Sequence, residues 1–144
     1  MANRINIGKI EPAGYKTLFG LDKFIESTPL TTTHKDLIKI RASQINGCAY
    51  CIDLHTKDAR KAGETEQRIY ALNAWRETPF FTEEERVILA LTEEVTLIAN
   101  HVSDKTYEAA ASLLGDTYLA HVIFAIITIN AWNRIGISTG MQPA

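Results

Sequence analysis

Apolar residues along this chain recur at intervals of three and four, the spacing that places them on one face of an α-helix. The clearest series is Ile88, Leu91, Val95 and Ile98, which steps by three, four and three residues and predicts a helix packed against another. No segment between turn residues alternates apolar and polar side chains, so we predict no sheet. The pattern indicates an all-α protein.

Capping and helix-breaking residues divide this pattern into a bundle of about seven helices. The first four are predicted at Gly14–Ser27, Thr33–Ile45, Cys48–Gly63 and Glu66–Arg76. The fifth begins at the capping box of residues 82–85, the sixth lies between Ser103 and Gly115, and the last is Thr117–Ile135, with Asp116 as its cap. Thr33 and Asp36 resemble a second capping box, with Asp in place of the usual Glu. No linker or repeat interrupts the chain, so residues 1–144 form one domain.

Composition excludes several kinds of partner. With 46% hydrophobic and 22% charged residues and a net charge of -2, the chain lacks the basic surface of a nucleic-acid-binding protein. The longest apolar run, Val122–Ile127, is far shorter than the roughly 20 residues that span a bilayer. Residues 1–10 lack the apolar stretch of a signal peptide, so we expect a cytoplasmic protein that does not enter a membrane.

The segment NGCAYCIDLH, residues 46–55, contains both cysteines of the chain. At about 100° per residue, Cys48, Cys51 and His55 fall within an arc of roughly 60° on one helix face. The Asn46-Gly47 break places Cys48 in the first helical turn, where unpaired backbone N–H groups and the helix dipole stabilise a thiolate. His55 follows one turn after Cys51 and can exchange a proton. The segment thus supplies a nucleophile, a resolving thiol and a base.

Three interpretations of these residues compete. The cysteines are either reactive thiols, buried residues that only fill space, or part of a metal site. A zinc site needs about four ligands, and the remaining histidines, His34, His101 and His121, belong to other segments. We therefore predict no metal and no cofactor within one chain, which leaves only a metal completed across subunits. Local chemistry does not decide which cysteine attacks, since Cys48 has the helix dipole and Cys51 the nearer histidine.

Asp36 is a candidate because of the turn at Asn46-Gly47. If the two flanking helices fold back as a hairpin, position 36 lies level with about residue 57. Its carboxylate could then face His55 and orient the imidazole ring. The same carboxylate is also a candidate helix cap, and the two roles compete for its oxygens.

The segments DLIKIRASQINGCAYCIDLHTKDAR, FTEEERVILALTEEVT and INAWNRIGI closely resemble the alkyl hydroperoxidase D-like branch of the carboxymuconolactone decarboxylase superfamily. The resemblance covers about residues 30–136. Its most specific element is an acidic residue twelve positions before a C-x-x-C pair that is followed by His, met here by Asp36, Cys48, Cys51 and His55.

The resemblance implies an all-α homo-oligomer with the C-x-x-C pair at the start of a central helix. It implies a peroxidase-type thiol oxidoreductase that reduces hydroperoxides or a partner's disulfide without metal or flavin, with electrons from a thiol donor that the sequence does not identify. Cys51 would attack the peroxide, Cys48 would close the disulfide, and His55 and Asp36 would relay protons. Two positions depart from the family: Asp36 replaces Glu, and Tyr50 replaces a second histidine.

Two other functions stay open at this point. One is an oligomeric redox-sensing or metal-binding module, and the other is an enzyme that acts on a lactone or small carbonyl compound with His55 as base. Trp132 and Asn133 are expected to serve packing and helix–helix hydrogen bonding. Because short amphipathic helices leave apolar faces that one chain of this size buries poorly, we also expect a homo-oligomer.

Overall fold

The fold is a bundle of α-helices, seen in a computed structural model that describes residues 2–144. The helices are α1 (Ile7–Ile10), α2 (Pro12–Ser27), α3 (Thr32–Asn46), α4 (Ala49–Lys61), α5 (Glu66–Tyr70), α6 (Glu83–Thr96), α7 (Asp104–Leu114) and α8 (Asp116–Thr139), with 3₁₀ segments at Leu72–Glu77 and Ile98–Asn100. No strand occurs within the described range. The predicted all-α class is confirmed.

Several predicted helix starts are confirmed by their capping hydrogen bonds. The Thr65 and Ser103 side chains accept from the backbone N–H of Arg68 and Thr106, at 3.2 Å each. Thr82 forms the full capping box that the sequence predicts, because its backbone N–H also donates to the carboxylate of Glu85 at 2.8 Å. These caps depend only on residues close in the sequence, which is why the helix starts could be predicted.

Other boundaries differ from the predictions. The cap of α3 is Thr31 rather than Thr33, since the Thr31 hydroxyl accepts from the backbone N–H of His34 at 3.1 Å. The predicted helix through Arg76 stops at Tyr70, where the chain tightens into a 3₁₀ segment. Asp116 is the first residue of α8 rather than its cap, and α8 continues four residues beyond Ile135.

Helix α3 lies in the middle of the molecule and is buried on two sides. Ile38 and Ala42 join an apolar cluster with α2, α6, α7 and α8, whereas Leu37 and Ile40 join a second cluster with α4, α6 and the first 3₁₀ segment. All four side chains are fully buried. Because it packs on both sides, α3 fixes the position of α4, which carries the cysteines, relative to α8.

Helix α8 is the longest and most apolar element. Within residues 2–144 it is the one helix whose length and composition alone would allow it to cross a membrane, yet its Leu119, Val122, Ile126 and Ile129 side chains form much of the core. A soluble core helix has the same character. Its outer side, together with α2, leaves a patch that we call the α2–α8 face: Phe24, Phe124 and Ile127, which are 38, 45 and 46% exposed.

Candidate active site

The site begins at the turn between α3 and α4. Gly47 adopts a left-handed conformation, with φ of 70°, and the N–H of Cys48 donates to the carbonyl of Ser43 at 3.1 Å. This is the Schellman arrangement by which a glycine ends a helix. It lets the chain reverse within one residue, so that Cys48 becomes the cap of α4.

The two cysteines form a disulfide across the first turn of α4. Their Cα atoms are 5.2 Å apart, and both residues are buried, with exposures of 2 and 3%. The Sγ atom of Cys48 also accepts a hydrogen bond from the backbone N–H of Cys51, at 3.3 Å. Both sulfurs therefore lie at a positive helix end, the environment that the sequence predicts for Cys48.

A buried hydrogen-bond network ties this turn to α8. The Asn46 amide donates to the side-chain oxygens of Asn130 and Asn133, at 3.0 and 2.9 Å. Asn133, which is fully buried, donates in turn to the hydroxyl of Ser43 at 3.0 Å. The helix–helix hydrogen bonding expected of Asn133 is thus present, and it holds the turn that positions the cysteines.

Gly136 of α8 packs directly against the disulfide. A Cβ atom at this position would lie 3.0 Å from the Sγ of Cys48 and 3.5 Å from that of Cys51. The first distance is shorter than ordinary van der Waals contact, so glycine allows α8 to approach the sulfurs this closely. Gly136 was missed by the sequence reasoning because its partner lies some ninety residues earlier in the chain.

A pocket of about 300 Å³ opens beside Cys51 and His55. One wall consists of three aromatic rings, Tyr15, Phe19 and Trp132, that meet edge to face with centroids 5.2 to 5.5 Å apart. Polar groups in the lining include Asp22, Lys39 and Tyr50. An apolar pocket with a few converging polar groups is the usual form of a small-molecule site.

Trp132 therefore does more than pack. Its ring lines the pocket, and its indole N–H donates to the carboxylate of Asp22 at 2.9 Å. The helix–helix hydrogen bonding expected of Trp132 is thus present, and its ring in addition lines the pocket, because α2 brings its own aromatic side chains to the same place. Tyr50, one of the two positions that depart from the family pattern, also faces this pocket.

His55 is neutral at physiological pH in this environment. Burial, followed by the nearby charge of Lys39, lowers its pKa to about 4, against a smaller opposing effect of Asp58. The neutral imidazole has a ring nitrogen that can accept a hydrogen bond or pass on a proton, but the lowered pKa makes it a weak base and it carries no positive charge. Cys51 and His55 line the same pocket, as their shared helix face predicts.

Asp36 lies apart from that pocket. It is 8% exposed, and burial raises its pKa; Asp58 and Glu64 act in the same direction, whereas Lys39 and Lys35 oppose them. These neighbours place it beside the later part of α4, as the hairpin predicts. Within residues 2–144 its carboxylate makes no hydrogen bond to His55, and it does not cap α3. The capping role is wrong, and the relay role stays a prediction.

No group of three or more His, Cys, Asp or Glu side chains within the described range is arranged to hold a metal ion. The residues of the site are instead two sulfurs, a neutral imidazole and a lysine beside an apolar pocket. This set of groups suits thiol chemistry, in which a thiolate and a proton acceptor are sufficient.

Comparison with known proteins agrees with this geometry. The model of the Carboxymuconolactone decarboxylase family matches residues 12–94. The uncharacterized protein YdfG of Bacillus subtilis (strain 168) is 43% identical in an alignment of 145 positions that covers all of this chain and 99% of that protein.

Solved structures share the fold along nearly the whole chain. One is a protein of unknown function from Agrobacterium tumefaciens, for which a role as the antioxidant defence protein AhpD has been suggested; it is 38% identical, with a TM-score of 0.95 and 99% of each chain covered. Another is an uncharacterized peroxidase-related protein with an alkylhydroperoxidase AhpD core from Ralstonia eutropha JMP134, 19% identical, with a TM-score of 0.80 over 95% of this chain and 74% of that one.

Proposed function

The chain belongs to the carboxymuconolactone decarboxylase family, in its alkyl hydroperoxidase D-like branch, and on this premise we propose that it is a thiol-dependent oxidoreductase that reduces hydroperoxides or a partner's disulfide. The observation that carries the proposal is the Cys48–Cys51 disulfide at the edge of the pocket. With a separation of three residues, this disulfide constrains little of the unfolded chain, so structural stabilisation is a poor reason for it. A redox role accounts for it better.

Cys51 is the attacking sulfur in this proposal. Its residue lines the pocket, whereas Cys48 lies behind it against Gly136. The thiolate of Cys51 attacks the outer oxygen of the hydroperoxide, so that an S–O bond forms, the O–O bond breaks and the alkoxide leaves to take up a proton as the alcohol. Cys51 is thereby oxidised to a sulfenic acid.

Cys48 then resolves the sulfenic acid. Its thiolate attacks the sulfur of Cys51, an S–S bond forms, and the hydroxyl group leaves with a proton as water. The hydrogen bond from the N–H of Cys51 to the Sγ of Cys48 favours the thiolate form of the resolving sulfur. His55, one turn from Cys51, passes the thiol proton of Cys51 to the leaving alkoxide as the attack proceeds, so that its imidazole is neutral before and after the step.

An external thiol completes the cycle by reducing the disulfide, through a mixed disulfide with one of the two sulfurs. A reducing cytoplasm, the compartment expected from the sequence, supplies such thiols. The apolar wall of Tyr15, Phe19 and Trp132 supports an organic rather than an ionic substrate.

The proposal is tested by titrating the reduced protein with cumene hydroperoxide and counting alkylatable thiols by intact mass. We expect the two thiols to disappear together as one intramolecular disulfide forms. Thiols that survive an excess of peroxide and of disulfide substrate would show that the pair does not take part in redox chemistry.

A further inference from the structure

The neutral state of His55 leaves the site without the positive charge that reactive cysteines often have beside them. Thiolates are stabilised at helix N-termini and next to Lys, Arg or a protonated His. Because the pKa of His55 is about 4, its imidazole provides a proton acceptor but not a cation. A full positive charge near Cys51, in addition to the helix N-terminus, therefore has to come from another residue.

Lys39 of α3 is placed to supply it. The side chain is half-buried and lines the pocket together with Cys51 and His55. Unlike Lys35, which pairs with Glu26 at 3.1 Å, and Lys57, which pairs with Asp53 at 2.8 Å, the Lys39 ammonium makes no ion pair within residues 2–144. Its charge is thus not held in an ion pair, and it acts on the carboxylates of Asp22 and Asp36 as well as on His55.

The other charged and titratable groups of the pocket come from α2 and α4. On α2 they are Tyr15, Glu26, which is paired with Lys35, and Asp22, whose pKa is raised by burial and whose carboxylate accepts from the indole of Trp132. On α4 they are Tyr50 and His55. The α8 side chains that line the pocket carry no charge. Lys39 is therefore the one cation in the described lining.

We propose that the ammonium group of Lys39 stabilises the thiolate of Cys51 and so sets the reactivity of the site. The inference rests on the proposed function, in which Cys51 attacks the substrate. Two residues then have separate roles. Lys39 provides the charge that favours the thiolate, and His55 passes on the proton. Because the charge of Lys39 lowers the pKa of His55, the two side chains lie near each other.

The experiment measures thiolate formation rather than peroxide turnover. In a Cys48→Ser background, the remaining thiol of Cys51 is reduced and alkylated with iodoacetamide across a range of pH. Replacing Lys39 by Met should shift the midpoint of the rate profile upward by about one pH unit, because a nearby charge is lost. Lys39→Arg, which keeps the charge, should retain most of the original profile.

Lys57→Met is the matched control, since it removes an exposed lysine from α4 and should leave the profile unchanged. Folding of each variant is checked by circular dichroism, and Lys39→Gln serves if the Met variant does not fold. A profile that is the same with and without the Lys39 charge would overturn the proposal. Because no peroxide is used, a protein without peroxidase activity can still show the shift, so the two proposals fail separately.

Discussion

Replacing His55 by Gln should make the protein less sensitive to acid. The pKa of His55 is about 4 in the folded protein, because burial and Lys39 both disfavour the imidazolium, against a model value of 6.5. Between these values the unfolded chain binds a proton that the folded chain does not. His55 therefore contributes a decrease in the free energy of unfolding as the pH falls through this window, and this contribution is absent when His55 is replaced.

The size of the effect follows from the two pKa values. A difference of about two and a half units, at roughly 1.4 kcal/mol per unit, amounts to about 3 kcal/mol that wild type loses through His55 between neutral pH and about pH 4. Other titrating groups act equally in both proteins, so the difference between wild type and His55→Gln isolates this residue.

The assay is urea unfolding followed by circular dichroism at several pH values, with the disulfide intact and equal protein concentration in both samples. We expect the free energy of unfolding of His55→Gln, relative to that of wild type, to rise by about 3 kcal/mol as the pH falls from neutral to about 4. His101→Gln, at an exposed histidine, should show no such change. A difference between wild type and His55→Gln that stays constant with pH would refute the neutral, buried state assigned to His55.

Three further predictions concern packing. Gly136→Ala places a Cβ 3.0 Å from the Sγ of Cys48, so thermal unfolding should show a loss of about 1–3 kcal/mol; unchanged stability would mean that α8 moves away freely. Asn133→Ala removes the hydrogen bonds that link Asn133 to Asn46 and Ser43 and should cost about 1–3 kcal/mol in urea unfolding, whereas a cost below about 1 kcal/mol would show that the network does not hold the turn in place. Phe124→Asp, on the α2–α8 face, should reduce the mass of the expected homo-oligomer in light scattering, and a monomeric wild type would contradict that expectation.

The local features of the fold could be predicted from the sequence, because they depend on neighbouring residues. Thr82 and Ser103 start helices through hydrogen bonds to residues three positions away, and Gly47 ends α3 through its own backbone conformation. The common face of Cys51 and His55 needs only the helical period. None of these features requires knowledge of distant contacts.

Features that depend on packing between helices were harder to predict. The hairpin pairs position 36 with about residue 57, and the same arithmetic places position 39 level with about residue 54. The sequence therefore contains a signal for Lys39 beside His55, although the motif itself points only to the carboxylate of Asp36. Trp132 and Gly136 reach the site only because α3 fixes α8 against α4, which no local pattern shows.

In the proposed mechanism Cys51 attacks the substrate from the pocket, and Cys48 resolves the sulfenic acid that forms on Cys51. The most direct test treats the reduced Cys48→Ser and Cys51→Ser proteins with cumene hydroperoxide in the presence of dimedone, and measures the intact mass of each. We predict a dimedone adduct, which marks a sulfenic acid, in Cys48→Ser and none in Cys51→Ser. An adduct on Cys51→Ser alone, or on neither protein, would contradict this assignment.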